Sequence, residues 1–236
     1  AHSGHMATAD VVASAITRAA ERTGMPKGVF NMIFGSGVGE GLVKHPAIRG
    51  VGFTGSLAGG NALSRMAAER PDPIPVFAEM SSINPVIILP GALNARSETV
   101  AKELANSVTM GVGQFCTKPG LVMGVRSAAF SAFLEELKVQ MGAQPPQTML
   151  NAGGLKSYIG GVEHLGAHPG VAHLAGQAQG KKHAQAQLFK ADVSLLIDGD
   201  ELLQEEVFGP ATVVVEVADD AELGRALLAL RGQLTA

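Results

Sequence analysis

The chain has 236 residues, 46% of them hydrophobic and only 17% charged, with a net charge of −3. That is apolar material for one large core or two small ones. With no Trp and one Tyr, it offers neither the basic surface nor the stacking platform that a nucleic-acid groove needs.

The first segment reads as a helix that packs through Val11, Val12, Ala15, Ile16, Ala19 and Ala20, with Thr8 as its N-cap and Gly24 and Pro26 at its end. A strand-length run, Val29–Phe34, leads into the glycine loop 35–41 and a short helix to His45-Pro46. A strand at Val51–Thr54, a helix carrying Leu63, Met66 and Ala67, and a strand at Val76–Met80 follow. After Ser82, the best domain boundary, the alternation restarts. It runs through a strand at Val86–Leu89, a helix marked by Val100, Leu104 and Val108, a strand at Leu121–Val125, and helices around Phe133 and Tyr158. Residues 166–187 read as loop. Strands at Leu188–Ala191, Leu195–Ile197 and Thr212–Val217 and a helix around Leu227 close the chain. Helices alternating with short apolar strands predict an α/β fold built on parallel sheets.

No apolar run reaches the roughly 18 residues of a membrane span, and no basic-then-apolar leader opens the sequence. One cysteine excludes an internal disulfide and suits a reducing, cytoplasmic setting. The chain begins without Met and stops after Gly232-Gln233-Leu234-Thr235-Ala236 as a loop into a strand would. It therefore reads as the middle of something longer.

Several constellations could carry chemistry. The loop 35–41 has Glu40 where the G-x-G-x-x-G fingerprint needs its third glycine, so it reads as a strand-to-helix turn. At Gly52-Phe53-Thr54-Gly55-Ser56, small residues would let a diphosphate reach the N–H groups opening the next helix. An ordinary cap by Ser56 explains the same residues, and such caps are common. Cys116 lies in the glycine-bounded stretch Gly113-Gln114-Phe115-Cys116-Thr117-Lys118-Pro119-Gly120 beside polar neighbours. A lone cysteine is most often a small buried hydrophobe, but this setting suits an exposed thiol. A nucleophile there needs local N–H dipoles or a cation to raise its thiolate fraction. Glu79 ends an apolar strand at the carboxyl edge, where open α/β sheets bind ligands. A surface carboxylate is the plain alternative to a tuned acid or base on a buried strand. His164 and His168 are four apart, but Pro169 ends their helix and no third ligand is evident, so no metal is expected.

The order Gly52-Phe53-Thr54-Gly55-Ser56, Glu79, Gly113-Gln114-Phe115-Cys116, Glu205-Glu206-Val207-Phe208-Gly209-Pro210 resembles the aldehyde dehydrogenase superfamily across essentially the whole chain. Phe77–Pro85, Thr54–Gly60 and the terminal Gly232–Ala236 are most similar to its α-ketoglutarate semialdehyde (2,5-dioxopentanoate) branch. Ser81-Ser82 departs from the two glycines usual there. The resemblance implies parts of two Rossmann-like domains: residues 1–81 as the C-terminal half of an NAD(P)-binding domain and 82–236 as a partial catalytic domain. It implies NAD(P)-dependent oxidation of an aldehyde, with Cys116 attacking the aldehyde carbon and Glu79 activating the water that hydrolyses the thioester. The Cys116 N–H would help hold the oxyanion. Thr54, Gly55, Ser56 and Gly60 would meet the cofactor, Gly55 and Gly60 by allowing close approach. Glu206 would bind the nicotinamide ribose and Phe208 would pack by the ring.

The expected partner is a small aldehyde, with no nucleic acid or membrane, in a homo-oligomeric parent. Ser3 falls where NAD-specific relatives carry a glutamate, which leans the expectation to NADP with NAD also used. A fatty or other semialdehyde, or a non-catalytic truncated homologue, are the alternatives. The family's asparagine oxyanion ligand and adenosine lysine are absent from these residues. The span alone is therefore expected to be nearly inactive, since a lost oxyanion donor typically costs about 10²–10³ in rate, and poorly soluble, since half of a parallel sheet leaves an unpaired strand edge and an uncovered apolar face.

Overall fold

The computed structural model describes residues 3–35, 37–178, 180 and 182–236, without the Ser3 side chain. The chain divides into two compact units, Ala1–Met80 and Ser81–Ala236.

In the first unit, α1 (Met6–Arg22) is followed by α2 (Val38–Lys44), β1 (Val51–Thr54), α3 (Leu57–Ala68) and β2 (Val76–Glu79). Strands β1 and β2 pair in parallel, with Val51 opposite Val76 and Thr54 opposite Glu79. Because side chains alternate along a strand, Val51, Phe53, Val76 and Ala78 share the half-buried face, and Gly52, Thr54, Phe77 and Glu79 share the exposed one. Arg70 ties the loop after α2 by donating to the carbonyls of Val43 and Ile48 at 2.8 and 3.1 Å.

Three expectations fail in this unit. A short 3-10 turn at Ser3–His5 leads directly into α1, so His5 and not Thr8 precedes the helix. The apolar stripe of α1 is not packed. None of its residues is buried, and Val11 is 68% exposed. Residues 30–34 are irregular rather than a strand. A strand needs a neighbour to complete its ladder, and in this unit the ladder runs between β1 and β2.

The second unit carries a five-stranded sheet. Its elements are β3 (Pro85–Ile88), α4 (Pro90–Thr109), β4 (Leu121–Val125), α5 (Ala128–Gly142), α6 (Ala152–Ala167), β5 (Val171–Ala175), β6 (Gln187–Ala191), α7 (Ser194–Ile197), β7 (Ala211–Val217) and α8 (Asp220–Ala229). Strand order is β3-β4-β7-β6-β5, parallel except for β5, which runs antiparallel along β6. Both faces are covered, as parallel sheets require. Val122, Leu188 and Val214 pack under α4 and α5 with Leu104, Val108, Phe130 and Phe133. Leu121, Met123, Phe189, Val213 and Val215 pack on the other face with Tyr158 and Val162 of α6 and Leu223 and Ala226 of α8. Helices α5, α6 and α8 begin at Ser127, Asn151 and Asp219, whose side chains accept from the N–H three residues on. Helix α4 is interrupted at Arg96, whose backbone leaves the helical region.

Two further expectations are corrected. Part of the stretch read as loop, 166–187, is the edge strand β5. Its sequence, Val-Ala-His-Leu-Ala, shows no clean alternation, and the ladder slips between His173 and Ala175. Residues Leu195–Ile197 belong to the short helix α7, because the Asp192 carboxylate accepts from Ser194 N–H at 3.0 Å and turns the chain. Among the described residues no helix is long and apolar enough to cross a membrane.

Tyr158 joins this core to the backbone of a distant loop. It is buried, and its hydroxyl donates to the Gln185 carbonyl at 2.6 Å. Tyr158→Phe should lower unfolding free energy by about 1–3 kcal/mol, the usual cost of depriving a buried acceptor of its donor. Urea midpoints at unchanged m-value check it.

Candidate active site

The second unit concentrates polar chemistry at the turn that carries Cys116. Helix α4 ends in a 3-10 turn, Met110–Gly113, in which Gly111, Val112 and Gly113 take positive φ angles of 54, 60 and 64°. Gly113 is favoured by its backbone and required by its contacts. Its φ is left-handed, and a Cβ there would collide with the Gly209 carbonyl and the Pro210 nitrogen. The two backbones therefore meet directly, which brings the Cys116 turn beside Glu205-Glu206-Val207-Phe208-Gly209-Pro210. Gly209, at φ 152°, is itself pressed against the Tyr158 ring.

Cys116 is exposed. It lies in a turn closed by Lys118 N–H donating to Phe115 O at 3.1 Å, and its own N–H makes no backbone hydrogen bond among the described residues. Gln114 steadies the approach by accepting from Leu150 N–H at 2.9 Å. Two residues beyond the thiol, Lys118 is buried, and its ammonium donates to Ala211 O at 2.9 Å. Burial lowers its pKa from 10.5 to about 8, and the charge of Glu206 opposes that shift. Glu206 is half-buried. Desolvation raises its carboxyl above the ordinary range, against the pull of Lys118, the Ser81 hydroxyl and the Ser82 backbone. The Ser81-Ser82 departure thus has a use, since Ser81 is a partner of Glu206. Phe208 is 40% exposed.

In the first unit, Ser56 caps α3 by accepting from Gly59 N–H at 3.2 Å, so the plain cap is present. Its O–H remains able to donate to an anion. Gly55 donates its N–H to the Glu79 carbonyl at 3.0 Å, and a Cβ on it would press the Phe53 ring. Gly60 is buried, and its open side is filled by the Met80 thioether rather than by open space. Thr54 and Glu79 are side by side on the exposed face of the sheet. Glu79 is therefore exposed rather than on a buried strand as expected. The Ser3 side chain and Ser36 lie outside the described residues. His164 lies in the last turn of α6, which stops at Ala167 ahead of Pro169, as expected. His168 lies just beyond, facing Asp200 at 3.5 Å and accepting from Gly170 N–H at 3.1 Å. Among the described residues no three His, Cys, Asp or Glu side chains cluster as a metal site requires.

The sequence profile of the aldehyde dehydrogenase family matches residues 6–227. The chain belongs to the aldehyde dehydrogenase family. Over its whole length it is 54% identical to an α-ketoglutaric semialdehyde dehydrogenase of Acinetobacter baylyi and 43% identical to α-ketoglutaric semialdehyde dehydrogenase 2 of Azospirillum brasilense. It covers 45% and 46% of those proteins, so it spans under half the length of the curated relatives it matches. Among solved structures, it resembles a γ-glutamyl-γ-aminobutyraldehyde dehydrogenase of Burkholderia cenocepacia, with a TM-score of 0.73 and 24% identity, covering 90% of this chain and 44% of that one. An NAD-dependent benzaldehyde dehydrogenase of Corynebacterium glutamicum gives a TM-score of 0.74 at 22% identity, covering 91% and 47%. At such identities the likeness shows the fold, a mixed α/β architecture on parallel sheets.

Sequence reasoning about this family member passed over Lys118, Asn84 and Ser82 as site residues. The signal available was polar side chains flanked by apolar strand segments, but burial itself is not written in the sequence.

Lys118 makes the stability of this unit pH-dependent. Below about pH 8 the folded state carries a buried ammonium, whereas the unfolded amine stays protonated up to 10.5. Between those values the unfolded chain binds the extra proton, so stability rises with pH, by about 3 kcal/mol across the window. Lys118→Met should flatten that rise relative to wild type, read as denaturation midpoints from pH 7.5 to 10.

Proposed function

We propose that this chain supplies the nucleophile and part of the cofactor site of an enzyme that oxidises an aldehyde to a carboxylate, with α-ketoglutarate semialdehyde as substrate. The observation that carries the reading is Cys116. A unique, exposed thiol sits on a turn whose shape is set by backbone-to-backbone packing against the Glu206 motif. Identity of 54% over the whole chain to an α-ketoglutaric semialdehyde dehydrogenase supports the substrate. The partner is then a small aldehyde, with the full-length protein homo-oligomeric and cytoplasmic.

Cys116 as thiolate attacks the aldehyde carbon, and the carbonyl oxygen becomes an oxyanion. The Cys116 N–H, without a backbone acceptor among the described residues, is available to stabilise that charge. NAD or NADP, when bound, supplies the acceptor for the hydride that leaves the thiohemiacetal carbon and so yields a thioester on Cys116. Within each unit taken by itself, the residues present suit such a cofactor. Ser56 opens a twelve-residue helix with a hydroxyl able to meet a phosphate, Gly55 and Thr54 flank it, and Glu206 offers a carboxylate to ribose hydroxyls. Phe208, partly exposed, offers a ring face to the nicotinamide. Gly60 serves by admitting Met80 behind the helix. Glu79, assigned by resemblance, takes a proton from the water that attacks the thioester carbon, releasing the carboxylate and restoring the thiol. Residues 1–81 then form half of the cofactor domain and 82–236 much of the catalytic domain.

In the full-length enzyme containing these residues, Cys116→Ala should abolish aldehyde oxidation while leaving cofactor binding intact. Near-normal turnover would sink the mechanism. Glu79→Gln should slow thioester hydrolysis by about 10²–10⁴-fold and spare the first hydride transfer. Stopped-flow absorbance of the reduced cofactor separates the two phases, and equal loss of both would remove Glu79 from its role.

A further inference from the structure

We infer that Asn84 is the positioning residue for the nucleophile turn. Asn84 is 2% exposed, and its carboxamide nitrogen donates to two carbonyls of that turn, Cys116 O at 2.8 Å and Lys118 O at 3.0 Å. An amide nitrogen has two N–H groups, so this one grips the 116–117 and 118–119 peptide planes, at either end of the Thr117-Lys118 pair. Fixing the Cys116 carbonyl restrains the turn that presents the thiol and the Cys116 N–H. The inference rests on the reading of Cys116 as nucleophile.

Asn84 is itself held from the other side. Its Oδ1 accepts from the Thr235 hydroxyl at 2.9 Å and the Thr235 N–H at 3.3 Å, and the Ser82 hydroxyl lies 2.9 Å from it. Ser82 also accepts from Leu234 N–H at 2.9 Å, and Gln233 Oε1 accepts from Ile83 N–H at 2.7 Å. The segment 233–235 thus locks residues 82–84, and Asn84 passes that constraint to the turn at 116–118. Its φ of 46° is in the left-handed region, which asparagine tolerates better than most residues. No other side chain combines that backbone preference with two N–H donors at this reach. Aspartate keeps the shape and the backbone preference but presents an oxygen where the donors were.

In the full-length enzyme, Asn84→Asp and Asn84→Ala should each lower kcat by at least about tenfold, with KM for the aldehyde changed less than threefold, since a positional error affects chemistry more than binding. The second-order rate of Cys116 alkylation by iodoacetamide should fall with it. Ser82→Ala should lower kcat several-fold alone and have little further effect in the Asn84→Ala background, because it acts through Asn84. Turnover of Asn84→Ala within twofold of wild type, or independent multiplication of the Ser82 and Asn84 effects, would overturn the inference. If the Asn84 variants do not fold, Ser82→Ala decides it, and unchanged kcat and alkylation rate would end the proposal. Cys116→Ala, assayed alongside, keeps the two readings apart. Retained turnover there defeats the nucleophile assignment, while the alkylation rates still report whether Asn84 holds the turn.

Discussion

The second unit of this chain depends on one place where two backbones touch with no side chain between them. Gly113 rests against the Gly209–Pro210 peptide at a distance that leaves no room for a Cβ, and its positive φ favours glycine. The contact sets where the end of α4 lies relative to the strand entering β7. From it follow the projection of Cys116, the burial of Lys118 against the Ala211 carbonyl and the proximity of Lys118 to Glu206. A methyl group at 113 would act on all three, because the packed interior around it does not deform continuously.

Around that contact the protein buries polar groups that most cores avoid. Lys118, Asn84 and Ser82 lie inside the unit, and each has partners. Burial without partners would be costly for the neutral groups and far more so for the ammonium. Here the partners come from segments distant in sequence: 233–235 for Ser82 and Asn84, 206 and 211 for Lys118. The same bonds that satisfy these groups restrict the arrangement of the turn. The first unit is of another character. Its two-stranded ladder leaves Phe77 75% exposed, and α1 buries nothing, so individual bonds matter more there, such as the Ser56 cap and the Arg70 clasp on Val43 and Ile48.

The elements most legible in the sequence were those with strong periodicity or capping chemistry. Strand β4 is a continuous apolar run, β7 carries the apolar run Val213–Val215 at its centre, and α5, α6 and α8 carry apolar stripes behind Ser127, Asn151 and Asp219. The misread segments lack that redundancy. Strand β5 owes its existence to β6, since Val-Ala-His-Leu-Ala has little preference of its own. Leu195–Ile197 is as apolar as a strand, yet the Asp192 carboxylate turns it into α7. Val29–Phe34 has strand composition and lies outside the ladder.

Of the candidate groups in the two units, the sequence by itself determined which atoms are available: one thiol, at 116, glycines at 113 and 209, and carboxylates at 79 and 206. It also determined local geometry wherever a residue type permits few alternatives, as glycine does at left-handed φ. Only the tertiary structure decided which of those groups are buried and what faces them. Glu79 proved exposed, Gly60 turned its open side to Met80, and Lys118 was drawn inside to meet Glu206. The reason is physical. Burial and hydrogen-bond partnership arise from segments more than a hundred residues apart, as Asn84 and Thr235 show, and no local pattern of residues encodes which distant chain will supply the other half of a bond.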